Sequence, residues 1–418
     1  MKNIWSKALL NEKYKSMLNQ KSVIRKMFYY ALNRGKEIGY DNVFDYSLGN
    51  PSVPAPKEFD NAIIKLLKGK DSHKLHEYSP NLGIPEVREA VAQSLNERFD
   101  MNYKMEHIFM TSGAASSIAH ALRCVTKPND EVITFAPYFP EYIPYVNLTG
   151  AVLKIVEPDI SSFQINFEAF ESMLNEKVKA ILINSPNNPT GVVYSEDTIK
   201  TLTNILEKKS KEYGHEIFII SDEPYREISF KDVKVPYISK YYNNTISCYS
   251  FSKSISVPGE RIGYVAVNPD CFESELIAPM CGQISRGLGH NCPSSIIQRA
   301  IIDVLDKTSD LSVYETNMNI LYNEFMKLGF ECVKPDGTFY MFPKSLEPDA
   351  NIFCEKAKKY DLIFVPGDSF GCAGHFRISY CLTTDKVRRS LKNLNAFVNI
   401  EYKNKINTNI KNNEYIEV

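Results

Sequence analysis

Five apolar runs set the tightest limit on how this chain can fold: EVITFAP (131–137), VKAILINSP (178–186), EIFIISDEPY (216–225), TISCYSFSK (245–253) and IGYVAVNP (262–269). Their apolar character is nearly continuous rather than alternating, so neither face of the strands they predict is turned to water. Strands of that kind belong in a mostly parallel sheet covered by helices on both sides. Between the second and third runs lies SEDTIKTLTNILEKKSKEYG, with Ile199, Leu202, Ile205 and Leu206 at helical spacing. Ser195 is placed to cap the helix, Glu196 and Asp197 fall in its first turn, and Gly214 can close it. Strand, helix and strand over this distance make a right-handed crossover, and the fold class is α/β.

Beyond residue 300 the texture changes. A helical pattern covers roughly 313–328, and FECVKPDGTFYMFPK reads as two paired strands turning at Asp336-Gly337. A helix (NIFCEKAKKY), two strands (LIFVP and HFRISYCL) and a closing helix complete a smaller α+β unit. The expected division is an N-terminal arm with a small-domain segment (1–50), a large domain (51–300), a small C-terminal domain (301–400) and a polar, flexible tail (401–418).

Composition excludes more than it selects. The 418 residues carry a formal net charge of −1, so no global field draws nucleic acid or an anionic membrane. Nine cysteines are scattered singly, with no spacing of metal-ligand type, and fit a reducing compartment. No apolar stretch has the length of a membrane span, and the first residues do not read as a signal peptide. The expectation is a cytoplasmic protein without metal, nucleic-acid or membrane partners.

Chemistry-bearing residues gather just past the strand ends, where ligands of parallel sheets bind. Lys253 follows TISCYSFS, and Arg261 stands eight residues on in SVPGERIGY. Alone it is one surface lysine among many. At the end of a buried strand, burial and a nearby arginine would lower its pKa and free its amine as a nucleophile. Ser250 and Ser252 share a face if the strand continues, and with Arg261 they suit a phosphate. Asp222 and Tyr225 end a second strand; a loop aspartate capping a turn is the plainer alternative. Asn188 follows a third strand in SPNNPTG, whose composition an ordinary turn also explains. In TSGAASSIAHAL, Gly113, Ala114 and Ala115 leave amides bare at a helix start, a natural anion cradle. Neither a Walker lysine nor a GxGxxG accompanies it. Tyr138 follows the first run and offers a ring to stack on a flat heterocycle, or simply core packing. Arg377 lies inside HFRISY, where a mid-strand arginine needs either an internal salt bridge or a ligand carboxylate.

Taken together, SLGNPSVPAP, SPNNPTG, SDEPYREI and SFSKSISVPGERIGY resemble the class I/II aminotransferases, the fold type I pyridoxal-phosphate enzymes of the aspartate aminotransferase superfamily. The resemblance runs from about residue 22 to about 398. It implies pyridoxal 5′-phosphate as cofactor and ping-pong transfer of an amino group between an L-amino acid and a 2-oxo acid. Lys253 would be the Schiff-base lysine, and Asp222 would pair with the pyridinium nitrogen. Tyr225 and Asn188 would bond the ring's phenolic oxygen, and Tyr138 would stack on the ring. Gly113, Ala114, Ala115, Ser250, Ser252 and Arg261 would hold the phosphate. Tyr78, in EYSPNLGIPEVREA, would reach the neighbouring subunit's phosphate, which implies a homodimer with shared sites. Arg377 would grip the substrate α-carboxylate, with Gly49 at the mouth. Arg286, in GQISRGLGHNCPSS, resembles a side-chain carboxylate reader of aspartate-type members, or else makes a structural pair. Cys292 departs from the usual Asn-Ala-Pro, a change expected to alter packing only. Elimination, decarboxylation or oxidation on the same scaffold, and a non-catalytic ligand sensor, remain open at this level.

Overall fold

The computed structural model describes residues 10–18, 22–69 and 71–403. Strand β1 (Phe44–Asp45) precedes the large sheet, formed by β2 (Ile108–Thr111), β3 (Glu131–Phe135), β4 (Val152–Val156), β5 (Val178–Asn184), β6 (Phe218–Asp222), β7 (Thr245–Ser250) and β8 (Gly263–Val267). Their order is β2-β8-β7-β6-β5-β3-β4, and every pairing is parallel except the two that β8 makes. Ile181, Leu182, Ile219 and Ile220 are fully buried. At roughly 1.5–3 kcal/mol for each apolar side chain removed from water, such runs hold the sheet's centre together. The crossover helix Glu196–Tyr213 is bounded as its sequence implies: Ser195 Oγ accepts from Thr198 N at 3.0 Å, and Gly214 takes a left-handed conformation.

The smaller part carries β9 (Tyr340–Met341), β10 (Leu362–Ile363), β11 (Val365–Pro366) and β12 (Phe376–Ser379). β12 lies between β9 and β11 with antiparallel pairing, while β10 pairs with β1 from the start of the chain. A core of its own, including Phe325, Phe353, Phe376 and Phe397, fills this part. Just past the expected division at 300/301, Ile301 and Val304 share a core with Val91, Ile108 and Ile297. The helix Ser312–Lys327 is the first element after them whose buried residues belong to the smaller core.

The two arms expected to pair over 330–344 meet through one backbone bond, Lys344 N to Glu331 O at 2.9 Å, but form no ladder. Asp336 N and Gly337 N both donate to Gly191 O at 2.9 Å, and Phe230 N donates to Asp336 O at 2.8 Å. The Asp-Gly turn is thus spent on docking to the large sheet's loops, and β9 pairs with β12 instead. Of the expected polar tail, residues 404–418 lie outside the described residues. No helix among the described residues is long and apolar enough to cross a membrane.

Candidate active site

The loops that leave the large sheet toward its functional edge each deliver one part of a single cavity of about 230 Å³. β6 ends in Asp222, whose carboxylate is buried. Tyr142 Oη donates to its Oδ2 at 2.6 Å, but Oδ1 is buried with no hydrogen-bond partner. Burial pushes this carboxyl up to about 7, with the Tyr142 bond pulling down and Glu223 adding to the rise. A buried acceptor left unanswered costs roughly 1–3 kcal/mol, so the site is shaped to receive a donor there.

β7 stops at Ser250, three residues short of the lysine. Ser250 Oγ accepts from Ser252 N at 3.1 Å and caps a single helical turn, Phe251–Ser254, that carries Lys253. The two serines therefore meet through a turn, Oγ to Oγ at 2.7 Å, and not by sharing a strand face as expected. Lys253 Nζ donates to Gly49 O at 2.6 Å. Burial lowers its pKa to about 8; Cys381 opposes that shift, while Arg261 and Arg377 reinforce it. Half the amine is neutral near pH 8, where an ordinary lysine is almost wholly charged. Capture of a simple aldehyde at Lys253 in the cofactor-free protein should therefore rise with pH through a midpoint near 8. Peptide mapping after borohydride reduction measures it, and a midpoint above about 10 would contradict the buried placement.

An anion cradle adjoins the lysine. Gly113 has φ +99 and precedes the helix Ala114–Val125, whose first amides have no intrahelical acceptor. A Cβ at Gly113 would stand 3.1 Å from Arg261 Nη2 and 3.5 Å from Ser250 Oγ, so only glycine keeps this space open. Arg261 is fixed by bonds from Nη1 to Pro258 O (3.0 Å) and from Nη2 to Ser112 O (2.9 Å). Helix N-terminus, guanidinium and two hydroxyls converge on one point, a setting for a phosphate.

Residues of the smaller sheet bond to the cavity's lining from behind. Asn188 N donates to Asn184 Oδ1 at 2.7 Å, and Asn184 Nδ2 donates to Asp222 O at 2.8 Å, which ties the two loops together. Tyr225 lines the cavity, and its hydroxyl pairs with that of Tyr340 at 3.1 Å. Arg377 is 1% exposed, with Nη1 donating to Asn188 Oδ1 at 2.9 Å and Nη2 to Ser47 O. Its Nε is buried without a partner, and the guanidinium lies 4.6 Å over the Tyr340 ring. Among the described residues no carboxylate forms a salt bridge with it, which removes the internal ion pair as its explanation. A buried, unneutralised guanidinium calls for an anionic ligand. A side chain at Gly49 would collide with the Tyr340 hydroxyl, so glycine suits this position, whose carbonyl accepts from Lys253.

Three expected residues stand elsewhere. Tyr138 does not line the cavity; its ring packs on Gly371, and its N–H donates to Phe370 O at 3.0 Å. Phe139 and Tyr145 line it instead. Past the end of β3 no strand period decides which of two adjacent aromatics faces the edge, so the expectation falls one residue early. Tyr78 is wholly exposed and takes no part in this chain's own cavity. Arg286 is also exposed, near the end of the helix Ser274–Leu288, with Nε bonded to Gln283 Oε1 at 3.1 Å. Cys292 Sγ donates to Pro80 O at 2.9 Å. Tyr142, Phe139, Tyr145 and Tyr340 carry no expectation from sequence, and their aromatic spacing is the one signal there that could have marked them.

Residues 41–394 match the family model described as aminotransferase class I and II. An aspartate aminotransferase of Thermotoga maritima is 30% identical over 366 residues, covering 86% of this chain and 92% of the relative. A probable N-acetyl-LL-diaminopimelate aminotransferase of Bacillus subtilis is 29% identical over 370 residues, covering 86% of this chain and 90% of its own. Among solved structures, an amino transferase from Eubacterium rectale superposes with a TM-score of 0.91 at 44% identity, covering 95% of this chain and 99% of the other. The Thermotoga maritima aspartate aminotransferase gives 0.81 at 29% identity, over 91% and 97% of the two chains.

Proposed function

The chain belongs to the class I and II aminotransferases, a family that works with pyridoxal phosphate, and from that premise we propose that Lys253, Asp222 and Arg377 divide the chemistry of amino transfer among them. The observation that carries the reading is the conjunction, in one cavity, of a lysine amine and a buried carboxylate with a bare oxygen. Pyridoxal phosphate fits this set: Asp222 Oδ1 lacks a donor that a protonated ring nitrogen would supply, the Lys253 amine would take the aldehyde, and the glycine-lined cradle beside Arg261 would take the phosphate. Bound there, the cofactor supplies an electron sink for negative charge at the substrate's Cα.

The protein's own residues do the rest. Lys253 Nζ would be the base that takes the proton from the substrate's Cα and delivers it to the carbon that had been the cofactor's aldehyde. Asp222, buried and charged against a cation, keeps that cation protonated. Arg377 would hold the α-carboxylate and so orient the substrate's Cα toward Lys253. Tyr225 and Asn188 would bond the ring's phenolic oxygen, and Phe139, which lines the cavity where Tyr138 does not, would stack on the ring. Ser250, Ser252, Arg261, Gly113 and the amides of Ala114 and Ala115 would hold the phosphate.

The proposed assembly is a homodimer in the cytoplasm, in which Tyr78 and Arg286 complete the partner's site. Their exposure in the single chain supports this, as do the nine cysteines, all free. The large domain ends between 305 and 311, and the arm and β1 belong with the smaller part. Arg286, which has no carboxylate partner among the described residues, is the proposed reader of a second carboxylate, making aspartate and glutamate the preferred donors. Arg286→Ala should raise KM for aspartate about 10- to 100-fold while leaving KM for a monocarboxylic donor within about twofold, by loss of one charge-assisted hydrogen bond pair. Steady-state kinetics with both donors tests it; equal loss for the two would return Arg286 to a structural role.

A further inference from the structure

Beneath the cavity, the elements that carry Asp222 and Lys253 are joined by a buried chain of charged and hydroxyl groups that the proposed chemistry does not use. Glu227 lies five residues past Asp222. Its Oε1 accepts from Arg98 Nη2 at 2.8 Å and Arg226 Nε at 3.3 Å, and its Oε2 accepts from Tyr249 Oη at 2.9 Å. Burial works against its charge, but Arg226 and Arg98 outweigh that and hold the carboxyl below its usual range. It is therefore an acceptor only. Tyr249 must spend its single proton on Glu227, so Ser254 Oγ, 2.8 Å from Tyr249 Oη, is the donor in that last bond. The chain has a fixed direction: Ser254 to Tyr249 to Glu227.

Ser254 is the residue after Lys253 and the last of the one-turn helix Phe251–Ser254. A single turn has no stability of its own, since nucleation fixes several residues for one hydrogen bond. It is held at one end by the Ser250 cap and at the other by the Ser254 side chain, with Phe251 edge-on to Tyr249 at 5.1 Å. Arg226 is locked in turn: 2.9 Å to Glu223 Oε2, 2.9 Å to Tyr264 Oη, and 4.3 Å over the Tyr249 ring.

We propose that Tyr249 is a positioning residue for Lys253, relaying the fixed charge of Glu227 through Ser254 to the turn that aims the lysine's amine. The proposal rests on Lys253 being the reactive amine. Loosening the turn exposes that half-buried amine further to water, so its protonation should drift toward that of an ordinary lysine. The groups that bear on it, Cys381, Arg261 and Arg377, are untouched by the substitutions below.

The test uses the full chain freed of cofactor. Reductive methylation with formaldehyde is followed at the Lys253 peptide by mass spectrometry across pH. Tyr249→Phe and Ser254→Ala should each raise the midpoint by about one pH unit, and the double variant no further, because both cut one chain. With cofactor restored, kcat should fall about tenfold with KM within twofold, the mark of lost orientation rather than lost binding. Tyr103→Phe is the control. It removes a buried hydroxyl bonded to Tyr237 at 2.7 Å and should lower Tm without moving the midpoint. A Tyr249→Phe midpoint equal to that of Tyr103→Phe, with kcat within twofold of the parent, would overturn the proposal. A parent protein whose Lys253 reacts no sooner than surface lysines would instead overturn the reading beneath it.

Discussion

Lys253→Ala should lower turnover by about 10⁴-fold or more, the upper range for loss of a group that serves as both nucleophile and proton carrier. The expectation follows from placement. Among the described residues the other cations near the cavity are already committed: Arg261 to Pro258 and Ser112, Arg377 to Asn188 and Ser47. Neither guanidinium gives up a proton near neutrality, so no second base replaces the amine. Lysine at this position also bonds the Gly49 carbonyl. The variant should fold, because removing a partly exposed amine leaves the buried turn and its cap in place. Added methylamine should restore part of the rate by supplying a free amine. A variant retaining more than about one per cent of parental turnover would move the chemistry away from Lys253.

Asp222→Asn should cost about 10³-fold in kcat, with weaker retention of the cofactor, since it exchanges a charge for a dipole in a site of low dielectric. The substitution keeps the shape and can still bond Tyr142, so folding is not at issue. Tyr142→Phe separates the two roles of that contact. It removes the one influence that pulls the Asp222 carboxyl down, so the pKa should move above about 7 and the ionised fraction at neutral pH should shrink in the cofactor-free protein. Activity should then fall by about tenfold, far less than for Asp222→Asn, because the partner cation still favours the carboxylate. Equal losses for the two variants, measured in parallel, would mean that Asp222 acts only through Tyr142.

The parts legible in the amino-acid sequence are those whose cause is local. Nearly continuous apolar runs announce β5, β6 and β7, and a strand of known direction says which end faces the ligand. That is why Asp222, Asn188 and Lys253 can be gathered to one edge from the order of residues alone. The crossover helix is bounded correctly because Ser195 and Gly214 act within one turn of themselves. Expectation and structure part where a distant contact overrules a local preference. Asp336-Gly337 has the chemistry of a hairpin turn, yet the carbonyl of Gly191 takes both its amides. Tyr138 and Phe139 are neighbours in a turn, and only Gly371, from the smaller part, decides which ring is buried. The partner of Arg377 is equally hidden, because the Ser47 carbonyl lies 330 residues away in sequence.

The most direct test of the proposed chemistry is a half-reaction with a single amino acid and no oxo acid present. Protein loaded with pyridoxal phosphate is mixed with aspartate while the cofactor's absorption band and the products are followed together. Amino transfer predicts loss of the band in step with one equivalent of 2-oxo acid per site, then recovery when a second 2-oxo acid is added. Ammonia or carbon dioxide released over many turnovers, with the band intact and no acceptor present, would contradict it.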